Sequence, residues 1–199
     1  LKGGALLVCN HMSFADASIL LASLERPVRF LMFRPIYENI LIYPFAKTMG
    51  AIPVEAGGKK ADIEESLRGA REAILRGELV CIFPEGAITR VGQLQKFKRG
   101  FERIMAGVDA PIIPTHLDQL WGSIFSFRGK RFFFKRPREF PYPVTVSFGT
   151  PLASAATAFQ ARQAVQELSV KAFRLRRETS QILHHRTLSA LKGNIFKKV

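Results

Sequence analysis

The apolar positions of this chain fall in short runs that alternate with longer amphipathic stretches. The runs at 5–9 and 79–83 are continuous, as in strands that are buried on both faces of a parallel sheet. The whole pattern predicts strands near 5–9, 28–33, 51–54, 79–83, 111–117, 131–135 and 143–148, and helices near 16–24, 35–48, 60–76, 97–107 and 158–188. We therefore expect an α/β fold with a largely parallel central sheet flanked by helices.

A histidine and an aspartate, His11 and Asp16, follow the first predicted strand. Residues five apart on one continuous helix point about 140° away from each other, so these two meet only if a turn separates strand and helix. A histidine in this position suits proton transfer, and an aspartate on its other ring nitrogen fixes the tautomer. Alternatively, Ser13 and Asp16 form a capping box for the following helix and have no catalytic part.

A second polar stretch follows the predicted strand at 79–83. Glu85 and Gly86 come directly after it, and a basic cluster lies at 96–99. Glycine allows close approach of a backbone, and Lys and Arg donate charge-assisted hydrogen bonds to phosphate. The same residues would also fit a strand-to-helix turn with a solvated basic surface and no binding role. Since sites in parallel sheets form beyond the carboxyl ends of strands, we expect His11 and Glu85 to share one crevice.

Four elements stand in order along the chain. They are Asn10-His11 with Asp16, Phe83-Pro84-Glu85-Gly86, Phe97-Lys98-Arg99-Gly100, and Ala110-Pro111-Ile112-Ile113-Pro114. Together they resemble the glycerolipid acyltransferase superfamily, of the lysophosphatidic acid acyltransferase type, over about residues 4–152. The resemblance implies transfer of an acyl group from an acyl thioester to a lysophospholipid hydroxyl without a covalent intermediate. It implies that His11 is the general base and that Asp16 orients it.

Three further segments look similar to one branch of that superfamily, namely 83–92, 120–126 and 141–149. The branch is the acyltransferase part of bacterial fusion proteins that also carry a lysophospholipid transporter and an acyl–acyl carrier protein synthetase. It implies 2-acylglycerophosphoethanolamine acyltransferase activity, with an acyl carrier protein or coenzyme A thioester as donor substrate and no cofactor. The branch also implies that the domain acts at the cytoplasmic face of the inner membrane, either as a peripheral protein or as part of a membrane-tethered fusion.

The chain departs from the family pattern at two positions where arginines usually contact the acceptor's phosphate. Ala87 and Ile88 follow Glu85-Gly86 where Thr-Arg is usual, and Glu55 stands near the end of the second family block. We therefore take Arg90, Lys98 and Arg99 as substitute phosphate ligands, beside Glu85 and Gly86 in the substrate site.

The charge of the chain points to an anionic partner. Its 199 residues carry a formal net charge of +14, which suits a membrane surface, a phospholipid head group, an acidic carrier protein or nucleic acid. The excess is concentrated: residues 90–140 hold eleven Lys and Arg against four acids, and 171–199 hold eight against one. We expect one acyltransferase domain over 1–199, cut from a longer chain, with a catalytic core at 4–152 and a basic helical segment at 158–199.

Aromatic and basic residues interleave between 121 and 138. This mixture is typical of a membrane interface, and we expect Trp121, Phe133 and Phe134 to contact an anionic membrane, together with the basic residues of 171–199. Single-stranded nucleic acid would suit the same composition, but no nucleic acid partner is expected. A hairpin with phenylalanines facing the core is the structural alternative.

Two other classes of function remain open. Cys9 and His11 are two residues apart and would share a face if the strand includes both, which would suit a cysteine-dependent thioesterase, although a thiol in an apolar strand has its pKa raised. A non-enzymatic basic module would explain the charge but would leave His11, Asp16 and Glu85 without a role. No cluster of Cys and His predicts a metal site.

Overall fold

The computed structural model describes residues 2–55, 57–133, 135–136 and 142–195, and their side chains as far as residue 178. The strands are β1 (Ala5–Cys9), β2 (Val28–Phe33), β3 (Ile52–Val54), β4 (Leu79–Ile82), β5 (Ile112–Asp118) and β6 (Thr145–Phe148). The helices are α1 (Asp16–Ala22), α2 (Arg34–Tyr37), α3 (Tyr43–Thr48), α4 (Lys60–Leu75), α5 (Gly100–Met105) and α6 (Ala158–Ile195).

The six strands form one sheet in the order β3-β2-β4-β1-β5-β6. All neighbouring pairs are parallel except β5 with β6, which is antiparallel. The predicted α/β fold with a largely parallel central sheet is therefore confirmed. Because β1 to β5 run in the same direction, the loops that follow their carboxyl ends lie along one edge, called here the carboxyl edge.

The core has two layers because β1 is buried on both faces. Leu6 and Val8 pack with residues of α4, α5 and the first turns of α6. Leu7 and Cys9 point to the other face and pack with Leu20 of α1. This alternation explains why β1 is apolar at every position and why it occupies an interior place in the sheet.

Two predicted elements are wrong. The helix expected at about 35–48 is divided into α2 and α3, because Asn39 accepts the N–H groups of Ile42 and Tyr43 in a turn and Pro44 starts a new helix. No strand forms among the described residues of 131–135. There Phe133 has φ +57°, which is incompatible with a strand, and its N–H donates to the carbonyl of Ile124.

The remaining differences concern boundaries. The helix predicted at 97–107 is shorter, and the last helix begins as predicted at 158 but continues to 195. None of the helices among the described residues is both long and apolar enough to cross a lipid bilayer.

Candidate active site

The site begins where β1 ends, at Asn10. Its buried side chain accepts the N–H of Leu117 at 2.8 Å and donates to the carbonyl of the same residue at 3.0 Å. The amide thus takes the place of a backbone pair and holds the end of β1 against β5. The turn between β1 and α1 therefore starts from a fixed position at the end of β1.

Asp16, the first residue of α1, is completely buried and accepts four hydrogen bonds. Its Oδ2 accepts the Nδ1 proton of His11 at 2.8 Å and the backbone N–H groups of Met12 at 2.6 Å and Ser13 at 3.0 Å. Its Oδ1 accepts the hydroxyl of Ser13 at 2.6 Å. These four hydrogen bonds offset the free energy that burial of the charged carboxylate costs. Because they come from three consecutive residues, His11, Met12 and Ser13, the carboxylate also fixes the shape of the turn between β1 and α1.

The contact with Asp16 decides the tautomer of His11. A carboxylate only accepts, so Nδ1 carries a proton, and in the neutral ring the lone pair lies on Nε2. The ring stacks on Phe83 at a centroid distance of 4.2 Å, and its side chain remains 22% exposed. The imidazole is thus fixed in orientation while a reactant can reach it.

The capping-box alternative is present only in part. Asp16 does accept the N–H of Ser13, as a capping box requires, but the N-cap of α1 is Ala15 and no side chain caps it. The carboxylate of Asp16 therefore both closes the turn and holds His11.

Glu85 lies directly beside this turn, so the structure brings His11 and Glu85 together at the carboxyl edge, as the sequence predicted. Its Oε1 accepts the backbone N–H of His11 at 2.8 Å, and its Oε2 accepts that of Gln95 at 2.7 Å. Burial raises the pKa of Glu85, an effect that these two hydrogen bonds oppose. Both oxygens are engaged with backbone, so Glu85 positions His11 and the loop at 86–95.

The three basic residues predicted to bind phosphate occupy different surroundings. Gly86 has φ +75°, and a Cβ placed there would lie 2.5 Å from the ammonium of Lys98, which therefore covers this glycine. The guanidinium of Arg90 lies 4.9 Å from the ring centre of Phe127. Arg99 forms an exposed ion pair with Glu102 at 2.7 Å.

A group of phenylalanines borders the site on the β5 side. An isolated bridge between Ser13 and Ser126, and a hydrogen bond from the N–H of Phe14 to the carbonyl of Phe125, bring the segment after β5 against the His11 turn. The rings contact one another at centroid distances from 4.8 to 6.1 Å. This aromatic cluster consists of Phe14, Phe125, Phe127, Phe132 and Phe133, and the first, second and last of them are exposed.

The residues predicted to contact a membrane are described in part. Phe133 is exposed within the aromatic cluster. Trp121 is half-buried, and its indole covers Gly92, where a Cβ would lie 2.5 Å from Nε1. Phe134 lies outside the described residues.

The two cysteines are completely buried, which bears on the thioesterase alternative. Burial raises the pKa of Cys9 well above its usual value and that of Cys81 likewise. A buried neutral thiol is a poor nucleophile, so the structure gives this alternative no support. Among the described residues no group of three His, Cys, Asp or Glu side chains is arranged to hold a metal ion.

Sequence reasoning overlooked the contributions of Asn10, Phe83 and Phe14. Asn10 and Phe83 lie inside two of the four family motifs, but their contacts depend on which strands are neighbours in the sheet, and the order of the sequence does not reveal this. Phe14 packs on residues more than a hundred positions away. No local pattern signals such a contact.

Comparison with known proteins assigns this architecture to a family. The model of the family described as "Acyltransferase" matches residues 1–118. Because the match covers more than half of the chain, this chain belongs to the Acyltransferase family.

Similar sequences carry one recurring name. The chain is 31% identical over 110 residues to a chloroplastic 1-acyl-sn-glycerol-3-phosphate acyltransferase of Brassica napus, covering 55% of this chain and 31% of that protein. It is 25% identical over 158 residues to a probable 1-acyl-sn-glycerol-3-phosphate acyltransferase of Mycoplasma pneumoniae, covering 76% of this chain and 58% of that one. The chain thus spans between about a third and three-fifths of the length of these two relatives.

Among solved structures, the fold is similar to that of the 1-acyl-sn-glycerophosphate acyltransferase PlsC of Thermotoga maritima. The TM-score is 0.65 at 16% identity, and the match covers 88% of this chain and 67% of the other. The similarity supports the fold.

Proposed function

We propose that this chain transfers an acyl group from an acyl thioester to the free glycerol hydroxyl of a lysophospholipid. The observation that carries the proposal is the 2.8 Å contact between His11 Nδ1 and the buried carboxylate of Asp16. This contact holds the imidazole at the carboxyl edge with Nδ1 on the acid and Nε2 directed away from it. Family membership supports an acyl group as the transferred unit.

In the proposed reaction, Nε2 of His11 takes the proton of the acceptor hydroxyl as its oxygen attacks the thioester carbonyl carbon. The carbon–sulfur bond then breaks, and the imidazolium returns the proton to the departing thiolate. Asp16 stabilises the imidazolium while it exists. No acyl-enzyme forms, because the only thiols, Cys9 and Cys81, are buried.

For the acceptor's phosphate we propose Lys98 and Arg90 as the main contacts. Lys98 lies over Gly86, next to the residue that binds the backbone of His11, whereas Arg99 is already paired with Glu102. A flexible ammonium of this kind supplies a point charge to phosphate. The relatives are named for 1-acyl-sn-glycerol 3-phosphate, while the segments at 83–92, 120–126 and 141–149 favour lysophosphatidylethanolamine.

The test measures thiol release from an acyl thioester in the presence of each of these two lysophospholipids. We expect wild-type turnover to depend on the acceptor and His11→Ala to abolish it. Donors carried on acyl carrier protein and on coenzyme A are compared in parallel, and the branch resemblance favours acyl carrier protein. Equal rates for wild type and His11→Ala would refute the proposal and would favour the non-enzymatic basic module.

We further propose that the domain is one part of a longer chain and works at an anionic membrane surface, on the cytoplasmic face of the inner membrane. The net charge of +14 and the exposed rings of the aromatic cluster support an anionic membrane surface, whereas the choice of membrane and face rests on the branch resemblance. Phe133→Ser should weaken binding to vesicles of anionic lipid at high salt, where the charges are screened. Unchanged binding would assign Phe133 to packing against Phe14 and Phe125 alone.

A further inference from the structure

The turn between α2 and α3 presents two aliphatic side chains to solvent. Ile40 is 86% exposed and Leu41 is 87% exposed. Tyr43 and Phe45, on the following helix, are exposed as well. Single exposed apolar residues are ordinary on protein surfaces, but four of them within six residues of one turn point to a site of interaction.

This turn has a defined shape. The side chain of Asn39 accepts the N–H of Leu41 at 3.0 Å, and its carbonyl accepts the N–H groups of Ile42 and Tyr43. At the base, Tyr37 and Tyr43 meet edge to face at a centroid distance of 5.6 Å. The outward position of Ile40 and Leu41 is therefore fixed by hydrogen bonds and a ring contact within the turn.

The strand order places this turn relative to the active site. α2 leaves the carboxyl end of β2, and His11 follows the carboxyl end of β1, with β4 between them. The aromatic cluster follows β5, on the other side of β1. Two exposed apolar features thus flank His11 and Glu85 along the same edge of the sheet.

Cations also lie along this edge of the sheet. Beside the turn, Lys47 lies 5.7 Å from the ring centre of Tyr43, while Arg34 is paired with Glu38 and Glu55, so the charges closest to the turn balance. Further along the carboxyl edge, the exposed basic residues include Arg90, Lys98, Arg128, Lys130 and Arg131. An apolar tip on the same edge as this excess of positive charge is complementary to an anionic bilayer, where apolar groups enter the acyl region and cations meet head groups.

We infer that Ile40 and Leu41 form a wedge that inserts into an anionic lipid bilayer and presents His11 to the membrane surface. The inference goes beyond the aromatic cluster as a membrane contact, and its functional meaning rests on the proposed function, in which the acceptor is a lipid. With the wedge on one side and the aromatic cluster on the other, the bilayer would meet the whole carboxyl edge.

The experiment measures cosedimentation of the 199-residue chain with vesicles of phosphatidylglycerol and phosphatidylethanolamine. At about 1 M salt, where charges are screened within about 3 Å, we expect Ile40→Ser/Leu41→Ser to lower the partition coefficient about tenfold or more. The matched control is Leu75→Ser. Leu75 is 61% exposed at the end of α4, on the opposite edge of the sheet, and its replacement should leave partitioning unchanged.

Other outcomes overturn the wedge. Equal partitioning of wild type and the double variant does so, and so does an equal loss with Leu75→Ser. A dimer of the wild type that becomes a monomer in the double variant, with unchanged vesicle binding, would assign the wedge to a second copy of the chain. Because vesicle binding needs no turnover, the result is independent of the proposed chemistry. In turn, activity on a lysophospholipid dispersed below its micelle concentration should be unaffected by the double variant.

Discussion

Asp16→Asn tests whether the buried carboxylate orients His11 or only closes the turn. The amide has the same shape, and its oxygen can replace Oδ2 as acceptor for Met12, Ser13 and His11. Its NH₂ group then replaces Oδ1 and donates to the hydroxyl of Ser13, which is also able to accept. The network of contacts is preserved, while the negative charge next to the imidazole is lost.

The two expected costs differ in size. Hydrogen bonds to charged groups are about twice as strong as neutral ones, so weakening four of them by about 0.5 kcal/mol each lowers the free energy of unfolding by about 2 kcal/mol. The turnover rate loses the stabilisation of the imidazolium, for which a decrease of about 10³-fold is expected. At 1.36 kcal/mol for each factor of ten, that decrease corresponds to about 4 kcal/mol. The variant should therefore be folded and nearly inactive.

Thiol release from the thioester gives the rate, and circular dichroism during urea unfolding gives the stability. Ser13→Ala is the matched control, because it removes the hydrogen bond to Oδ1 of Asp16 and the one that the hydroxyl accepts from the N–H of Ala15, and it leaves the contact with His11. It should lower stability by about 1–2 kcal/mol and leave the rate within a few-fold of wild type. A folded Asp16→Asn variant with a rate like that of Ser13→Ala would refute the orienting role.

Glu85→Gln should lower the free energy of unfolding by about 1–3 kcal/mol, because one backbone N–H then faces an NH₂ group; urea unfolding measures this. Since the native pKa of Glu85 is raised, the folded state binds the proton more tightly, and this residue's contribution to stability falls as pH rises from the ordinary carboxyl value through the raised one. Unfolding of wild type and Glu85→Gln between about pH 4 and pH 8 should differ in that slope. Cys9→Ala should keep most of the acyl transfer rate, and complete loss in a folded variant would favour an acyl-enzyme. Lys98→Ala should raise the KM for the lysophospholipid about tenfold, whereas Arg99→Ala should change it less than twofold; equal effects would contradict the assignment of Lys98.

The fold class was predictable because each strand of the parallel sheet is a short apolar run. The order of the strands was not, since β1 lies between β4 and β5, which come much later in the chain. The single helix expected at 35–48 failed for a local reason: the turn at Asn39 depends on its own side-chain bond, and apolar periodicity cannot show it. The strand expected at 131–135 failed because Phe133 takes a left-handed conformation that sequence composition does not indicate.

The central pair of the candidate site was predictable for a related reason. His11 and Asp16 are separated by one turn, so local geometry alone decides whether they meet. Glu85 was correctly predicted to lie near His11, but its bonds to the backbone of His11 and Gln95 were not foreseen. They depend on how the loop after β4 folds over the end of β1, which is a matter of tertiary packing.

The close fit of Trp121 over Gly92 gives this protein an intrinsic optical reporter. The chain contains a single tryptophan, and its indole rests on the loop that Glu85 ties to the backbone of His11. Movement of that loop against the segment after β5 would alter the contact of the indole with Gly92 and its exposure to water. Tryptophan emission should therefore report on this one contact, and we expect ligand binding that moves the loop to change the emission without a label.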